Sequence, residues 1–190
     1  MNSEINIIAC DLAIRNTGLV WGKAMLVNDV LKFGKLHHEE YNTQQPLKGM
    51  DAYDRMAMEA SSAMDIANRI NDIASDMEEA GDWSCIAIEV PYTSQSSRSA
   101  ILLGLCWMVA EILSRRDDRY VCRIHPLLLK EHITGHRQAD KNVVKSEMIT
   151  RFATLMNEPS DHIIDAYATM ITFLETPYLS AKIWRDQKTS

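Results

Sequence analysis

Three acidic side chains and a histidine stand at places where a folded chain can bring them together. Asp11 ends the apolar run IIAC, Glu89 ends the apolar run CIAI, and Asp165 lies three residues after His162 in the segment DHIIDAYATM. Carboxylates that lie close together repel one another unless protons or cations compensate their charge. Hard oxygen ligands favour Mg²⁺ or Mn²⁺ over zinc, and two such ions about 4 Å apart suit the hydrolysis of a phosphodiester. These residues therefore predict a metal site for phosphodiester chemistry.

Each acid taken alone also has an ordinary structural explanation. Asp11 could cap a turn by accepting a hydrogen bond from the backbone of Ala13. The acids at the start of the last predicted helix, including Asp161, could simply stabilise the helix dipole. The combination favours a shared site, because two buried strands each end in an acid and one helix carries His162 and Asp165 on a single face.

The distribution of apolar residues predicts an α/β fold that opens with three antiparallel strands. The stretch Ile5–Trp21 contains a buried strand, a polar turn and the start of a second strand. The remaining strands are predicted at Leu19–Val27, Val30–Leu36, Cys85–Val90 and Val121–His125. Asn28 and Asp29 are typical of a two-residue hairpin turn, and the polar segment His37–Gly49 is predicted to be a loop.

Helices fill most of the remaining chain. The first is predicted at Asp51–Ala80, with an acidic outer face and with the inward residues Met56, Ala60, Ala63, Ala67, Ile70, Ala74 and Met77. Two more are predicted at Ser96–Arg115 and His125–Ile133. A fourth begins at the cap Asp140, with Val144, Met148, Phe152 and Leu155 inward, and the last is Asp161–Leu174, capped by Ser160. The segment Ser96–Arg115 is apolar on nearly every side, so either the domain or another subunit must cover two of its faces. Thr134–Asp140 is predicted to be a loop.

Length and composition favour a single domain that lies inside a cell. A chain of 190 residues, 46% hydrophobic, can bury one substantial core. We expect that core in residues 1–176, with 177–190 forming a poorly ordered tail. The longest apolar stretch, Ala100–Leu113, is too short to span a bilayer and contains Glu111. The four cysteines are far apart in apolar runs, which is typical of buried thiols in a reducing, cytoplasmic compartment.

Charge is distributed unevenly along the chain. The net charge of −6 argues against a protein that coats nucleic acid with its whole surface. Residues 39–82 contain eleven acids and three bases, however, whereas residues 98–151 contain ten bases and six acids. One basic face is therefore possible, although ordinary solvated helix faces would give the same composition.

The order of these motifs resembles that of the RuvC-type Holliday-junction resolvases. Ile8–Gly18 is similar to the opening signature of this family, AIEVPYTSQSSRSAILLG to the second signature, and DHIIDAYA to the closing one. The resemblance covers nearly the whole chain. It implies the three-layer fold of the ribonuclease H and integrase superfamily, with a mixed five-stranded sheet between helices. It also implies a homodimer, which would cover the helix Ser96–Arg115.

The resemblance also assigns roles to individual residues. It implies that Asp11, Glu89 and Asp165 are the metal ligands, and it places His162 where some members have histidine and others aspartate. His162 could complete the metal site or could orient and deprotonate the attacking water, and Asp161 is a reserve candidate for the same position. The cofactor implied is Mg²⁺, with Mn²⁺ as a substitute.

Residues that contact DNA are implied in the same way. Tyr92 falls where the family has an aromatic residue that can stack on a base at the junction. Lys130 and Lys141 are spaced like two phosphate-binding lysines around a loop that contains Gly135. Further basic residues that could contact phosphates, because of their charge and position, are Arg98, Arg137 and Lys145.

The function predicted is that of a metal-dependent, structure-selective DNA endonuclease that resolves Holliday junctions or other branched DNA, in a cell or in a phage-infected host. A nuclease of the same superfamily that acts on RNA or RNA–DNA hybrids would carry the same acids. A non-catalytic module that binds branched DNA would not require every acidic position to be filled. An actin-like ATPase or sugar kinase also opens with a strand, an aspartate and Thr-Gly, but it needs two such domains, and 190 residues are too few.

Overall fold

The computed structural model of the chain describes residues 3–28, 30–78, 84–90, 96–115, 119–152, 159–177 and 179–180. Within these ranges the chain forms five strands and five helices. In chain order they are β1 (Ser3–Asp11), β2 (Asn16–Val27), β3 (Val30–Asn42), α1 (Ala52–Glu78), β4 (Ser84–Glu89), α2 (Ser97–Ser114), β5 (Tyr120–Ile124), α3 (Pro126–Thr134), α4 (Lys141–Phe152) and α5 (Asp161–Glu175).

The strands form one mixed sheet in the order β3-β2-β1-β4-β5. β2 pairs antiparallel with both β1 and β3, whereas β1, β4 and β5 run parallel. Successive residues of β1 point to opposite faces of the sheet, and both sets are buried: Ile7 packs on the side of α5 and Ile8 on the side of α1 and α2. The expected three-layer α/β fold is therefore confirmed.

Helix α5 packs tightly across β1, β2 and β4. Ser160 caps it by accepting a hydrogen bond from the backbone N–H of Ile163, and most of its side chains, including Tyr167 and Phe173, are buried. Gly18 in β2 permits this close approach, because a Cβ atom at that position would overlap the carbonyl group of His162. The start of α5 is thus held directly against the edge of the sheet where β1 ends.

Helices α1 and α2 pack together on the other face, and they are less fully covered. In α2 only Cys106, Val109, Ala110 and Leu113 are buried among its described residues. Two large apolar side chains on the same helix are exposed, Ile101 at 38% and Trp107 at 43%. By length and composition alone α2 could cross a bilayer, but the core helix of a soluble protein has the same length and composition. Here it packs against α1 and β5.

The prediction of a loop at His37–Gly49 is wrong for its first half. β3 continues to Asn42, where it pairs with Asn16, so β2 also begins before the predicted Leu19. β3 is an edge strand, and its side chains over this stretch are polar and partly exposed. Backbone pairing with β2 rather than burial of apolar side chains holds this stretch in the sheet, so the hydrophobic pattern did not reveal it.

Other differences are small. Met56 was expected to point inward, but it is 51% exposed, because the buried stripe of α1 begins one turn later, at Glu59. Within the expected tail, Tyr120 donates a hydrogen bond to the carbonyl of Leu179, and Ser180 is buried. The poor order expected of residues 177–190 stays a prediction. Leu155 lies outside the described residues. The four cysteines are buried, unpaired thiols, as predicted.

Candidate active site

The acids that end β1 and β4 lie side by side at one edge of the sheet. Asp11 is the direct register partner of Glu89 in the parallel pair. Asp11 lies on the same face of β1 as Ala9, and Glu89 lies on the same face of β4 as Ala87. Both alanines pack in the core beneath α5. Both carboxylates therefore point toward α5, which supplies Asp165 from its second turn.

The three carboxylates affect one another electrostatically. Burial is the main cause that raises the pKa of Glu89 well above its usual range, and the charges of Asp11 and Asp165 raise it further. Burial also raises the pKa of Asp165, with a second contribution from Asp11. The acids therefore share one electrostatic environment, in which a proton or a cation must offset their repulsion.

Two basic side chains partly supply that compensation. The Nζ atom of Lys141 lies 2.8 Å from Oδ2 of Asp165, and the Nδ1 atom of His162 lies 2.8 Å from Oδ2 of Asp11. The hydrogen bond to Asp11 is the main cause of a raised pKa for His162. Asp11 is thus paired with α5 rather than with its own turn, where the carbonyl of Ala13 accepts a hydrogen bond from Thr17.

The reserve candidate Asp161 is placed differently from the other acids. Its carboxylate lies at the surface, 52% exposed, with Oδ1 2.7 Å from Nζ of Lys145. This hydrogen bond from Lys145 is the main cause that lowers the pKa of Asp161. Asp161 and Lys145 therefore form a surface pair at the start of α5, beside the cluster of acids rather than within it.

The two predicted phosphate-binding lysines do converge on the acids. Lys130 and Lys141 line a cavity of about 180 Å³ together with Glu89 and Asp165. The turn between α3 and α4 makes this possible, because Gly135 adopts a left-handed conformation, with φ of 77°, as the C-cap of α3. This sharp turn of the chain brings Lys130 of α3 and Lys141 of α4 to the same cavity.

The other predicted DNA contacts are less directly connected to this site. Arg98 forms an ion pair with Glu59 of α1, and Arg137 is 64% exposed and lies 3.3 Å from Glu131. Tyr92 lies outside the described residues. The structure therefore brings Lys130 and Lys141 to the acids, and pairs Arg98 and Arg137 with the other acidic side chains Glu59 and Glu131.

One acid near the site was not predicted. Glu40 in β3 pairs with Gly18, which in turn pairs with Asp11, so the three residues lie in one row across the sheet. Asn16 donates a hydrogen bond to Glu40 at 3.2 Å, and the charge of Glu40 contributes to the raised pKa of His162. The segment was taken for a loop, and only the pairing of β3 reveals this position.

The donor set suits a hard divalent cation by its chemistry. Three carboxylates meet at this edge of the sheet, and carboxylate oxygens are ligands that such cations prefer. Burial is the main cause of the raised pKa of Glu89, and the charges of Asp11 and Asp165 raise it further. Within the described part of the chain, no three histidine, cysteine or acidic side chains already converge as a preformed metal site. A cation bound at these carboxylates would compete with the contacts that Lys141 and His162 make to Asp165 and Asp11.

Comparisons with known proteins identify relatives of this chain. A family model described as crossover junction endodeoxyribonuclease RuvC matches residues 49–173, a range that includes Glu89, His162 and Asp165 but not Asp11. A comparison with curated protein sequences gives no significant match. Among solved structures, RuvC from Thermus thermophilus is similar with a TM-score of 0.60 and 17% identity, over 94% of this chain and 96% of that chain. The same protein in complex with a Holliday junction substrate gives a TM-score of 0.57 and 17% identity, over 90% and 93% of the two chains.

Proposed function

This chain belongs to the family of the crossover junction endodeoxyribonuclease RuvC, a family of nucleases that resolve DNA junctions, and we propose that Asp11, Glu89 and Asp165 form its divalent-metal site. The observation that carries this assignment is the register of β1 and β4, which places Asp11 directly beside Glu89. Asp165 faces the pair from α5, and burial is the main cause that raises the pKa of Glu89 and of Asp165, with the charge of Asp11 raising both further. Mg²⁺ is the cation that we infer, with Mn²⁺ as a substitute.

The side chains around the acids have separable tasks. A bound divalent cation would supply the Lewis acidity that activates water and stabilises the leaving oxygen. His162, fixed by its hydrogen bond to Asp11, is placed either to bind that cation or to orient the water and accept its proton. Lys141 neutralises Asp165 in the absence of substrate, and it can donate to a phosphate oxygen when the strand is bound.

The branched strand would approach from the side of α3 and α4. Lys130 and Lys141 line the cavity next to the acids, and Lys145 and Arg137 extend the basic surface beyond it. Asp161 and Glu131, the acidic partners of Lys145 and Arg137, are exposed, and exposed ion pairs exchange readily for contacts with a polyanion. Tyr92 is proposed, from the family resemblance alone, to stack on an unpaired base at the branch point.

A homodimer through α2 would explain the exposed apolar residues of that helix. Ile101 and Trp107 are large and exposed on the solvent side of a helix whose composition is otherwise that of a buried segment. A second copy that packs on this surface would cover both residues. Two identical sites related by a twofold axis could then cut two strands of a junction symmetrically.

A cleavage assay tests the proposed function directly. The protein is incubated with a four-way junction, a fork, a linear duplex and an RNA–DNA hybrid, each with Mg²⁺ or Mn²⁺. We expect cleavage of the junction or the fork and little cleavage of the duplex. Preferential cleavage of the hybrid would favour the ribonuclease alternative, and tight junction binding without cleavage under either cation would favour a non-catalytic module.

A further inference from the structure

A second cavity lies beside the candidate active site, on the side of the sheet that faces α2. Its volume is about 510 Å³, and it is formed by the loop at residues 12–16 and by the first turns of α2, including Arg98, Leu102 and Cys106. His162, which contacts Asp11, also lines it. We call this cavity the α2 groove; it begins where the acidic site ends.

The α2 groove is a gap in the packing of α2. Arg98, Leu102 and Cys106 are spaced four residues apart and therefore lie on one face of the helix. The same face further along the helix includes Val109 and Leu113, which are fully buried. The last turns of α2 thus pack into the core, whereas the first turns stand over an open slot beneath the same face.

The lining of the α2 groove combines an apolar wall with basic side chains. Leu12, Ile14 and Leu102 supply the apolar wall, and Arg15 and Arg98 supply two guanidinium groups. A nucleotide has the complementary chemistry, since its base has apolar faces and its phosphate is an anion that guanidinium groups bind well. The cavity also lies within the size range of small-molecule sites, roughly 300–1,000 Å³.

Arg98 is held in place at the α2 groove from within the core. Its guanidinium forms an ion pair with Glu59, which is 2% exposed, while the side chain of Arg98 itself remains 35% exposed. A buried carboxylate requires a positive partner, so Glu59 restricts where Arg98 can point. This arrangement is that of a fixed cation at the edge of a binding site.

A second copy of the chain is a poorer occupant of the α2 groove. At about 100° per residue, Gly104 lies on the side of α2 opposite to Leu102 and Cys106, and Ile101 and Trp107 lie on either side of Gly104. Trp107 belongs to the exposed apolar surface that we propose for dimerisation. A partner helix on that surface would leave the groove open, with its basic residues still facing the region of the acids.

We propose that the α2 groove binds one unstacked nucleotide of the branched DNA, adjacent to the phosphate that is cleaved. The base would lie against Leu12 and Leu102 and its phosphate at Arg15 and Arg98, with Glu59 as a positioning residue that acts through Arg98. The inference rests on the proposed function and extends it, because the groove would help to select which nucleotide stands next to the cut.

Fluorescent base analogues test this proposal. A four-way junction carries 2-aminopurine at one position at a time around the cleavage site, and it is bound to the 190-residue chain with the substitution Asp11→Asn. We expect one position to become brighter on binding, because unstacking relieves the quenching by neighbouring bases. Ala13→Leu, which fills the groove, should remove that signal and weaken junction binding roughly five- to hundredfold, the usual range for one stacked or captured base.

A matched control is the same substitution at an exposed helical site, Ala57→Leu, which should leave the fluorescence and the affinity unchanged. Thermal unfolding of both variants shows whether Ala13→Leu still folds, and Arg98→Gln gives an independent loss of the signal if it does not. An unchanged signal in both Ala13→Leu and Arg98→Gln would overturn the proposal. So would a junction that is cleaved normally by the native chain but shows no bright position, a result that leaves the proposed nuclease function intact.

The role of Glu59 is tested by a double-mutant cycle with Arg98. Glu59→Gln should weaken junction binding in the native background but have no further effect on binding in the Arg98→Gln background. The unfolding temperature does not report this role, because Glu59→Gln removes an unpaired buried carboxylate in the Arg98→Gln background whatever Glu59 does for DNA binding. Additive losses of affinity would show that Glu59 does not act through Arg98.

Discussion

Helix α5 and helix α2 cover opposite faces of the same sheet, but they do so to very different extents. Of the fifteen residues of α5, eleven are buried, whereas in α2 four of eighteen described residues are buried. The residues proposed for chemistry, His162 and Asp165, are on α5, and the exposed apolar residues are on α2. A fully packed helix can hold side chains at fixed positions for catalysis, and an incompletely packed one leaves surface for partners.

The comparison predicts that substitutions on the two faces will have different consequences. Changes at the acids opposite α5 should affect the chemical step, and changes at the closest contact of α5 should affect folding. Changes on α2 should affect association with other molecules and leave the fold intact.

The largest expected effect is on the rate of cleavage by Asp11→Asn. The substitution removes a proposed metal ligand and the partner of His162, so junction cleavage should fall by roughly a thousandfold or more, about 4 kcal/mol of transition-state stabilisation. Junction binding should persist, because the lysines of α3 and α4 are unchanged. Gel-based cleavage and binding assays measure both quantities, and near-normal turnover of the purified variant would remove Asp11 from the site.

A large effect on folding is expected from Gly18→Ala. The added Cβ would overlap the carbonyl of His162, so the start of α5 must move away from β2. Overpacking of this kind typically costs roughly 1–3 kcal/mol or more. The matched control is Gly104→Ala on α2, where a Cβ meets nothing within 4 Å. Within a helix this change should stabilise the chain by about 0.5–1 kcal/mol. Chemical denaturation measures both, and equal effects would contradict the contrast between the faces.

The apolar surface of α2 is tested by Ile101→Glu. If a second copy covers Ile101, a buried carboxylate should weaken the dimer at least about tenfold, equivalent to ~1.4 kcal/mol. Ile149 on α4 is a matched control, because it is 40% exposed and Ile101 is 38% exposed. Analytical ultracentrifugation across a range of protein concentrations gives the dissociation constants. A dimer that Ile149→Glu disrupts and Ile101→Glu does not would place the interface elsewhere.

The smallest expected effect is on the unfolding temperature of the metal-free protein with the substitution Glu89→Gln. The pKa of Glu89 is raised in the folded state, so the native protein binds this proton more tightly than the unfolded chain does. The stability that this proton provides is present below the unfolded pKa and is lost as the pH rises through the folded pKa. Because glutamine cannot ionise, Glu89→Gln should unfold at a higher temperature than the native chain at neutral pH, by a few degrees.

The control for this prediction is the addition of Mg²⁺. Ligand binding stabilises the state that binds it, so Mg²⁺ should raise the unfolding temperature of the native chain and should raise that of Glu89→Gln much less. At a pH below the ordinary carboxyl range, the difference between the metal-free proteins should disappear. A variant that is less stable than the native chain at every pH would mean that Glu89 has a structural role in the core.

The sequence alone was sufficient to predict the main elements and the positions of the acids. Asp11 and Glu89 end apolar runs, and a strand buried on both faces is recognised by such a run regardless of what surrounds it. His162 and Asp165 are three residues apart on a strongly amphipathic helix, so their common face follows from helical geometry. Such patterns can be read from the sequence because each depends only on the segment that contains the residue.

The tertiary structure decided which charged residues are partners. Arg98 was expected at phosphates and is held by Glu59, and Asp161 was a reserve ligand and pairs with Lys145. Glu40 lies in a segment that the sequence predicts to be a loop, and the structure places it in line with Asp11 at the end of β1. Glu59 is more than twenty residues from Arg98 in sequence, and Glu40 lies on a polar edge strand. Lys145 is nearer to Asp161 in sequence, but it lies on a different helix. The sequence around a charged side chain does not indicate its ion-pair partner, because that contact is fixed only by the register of the strands and the packing of the helices.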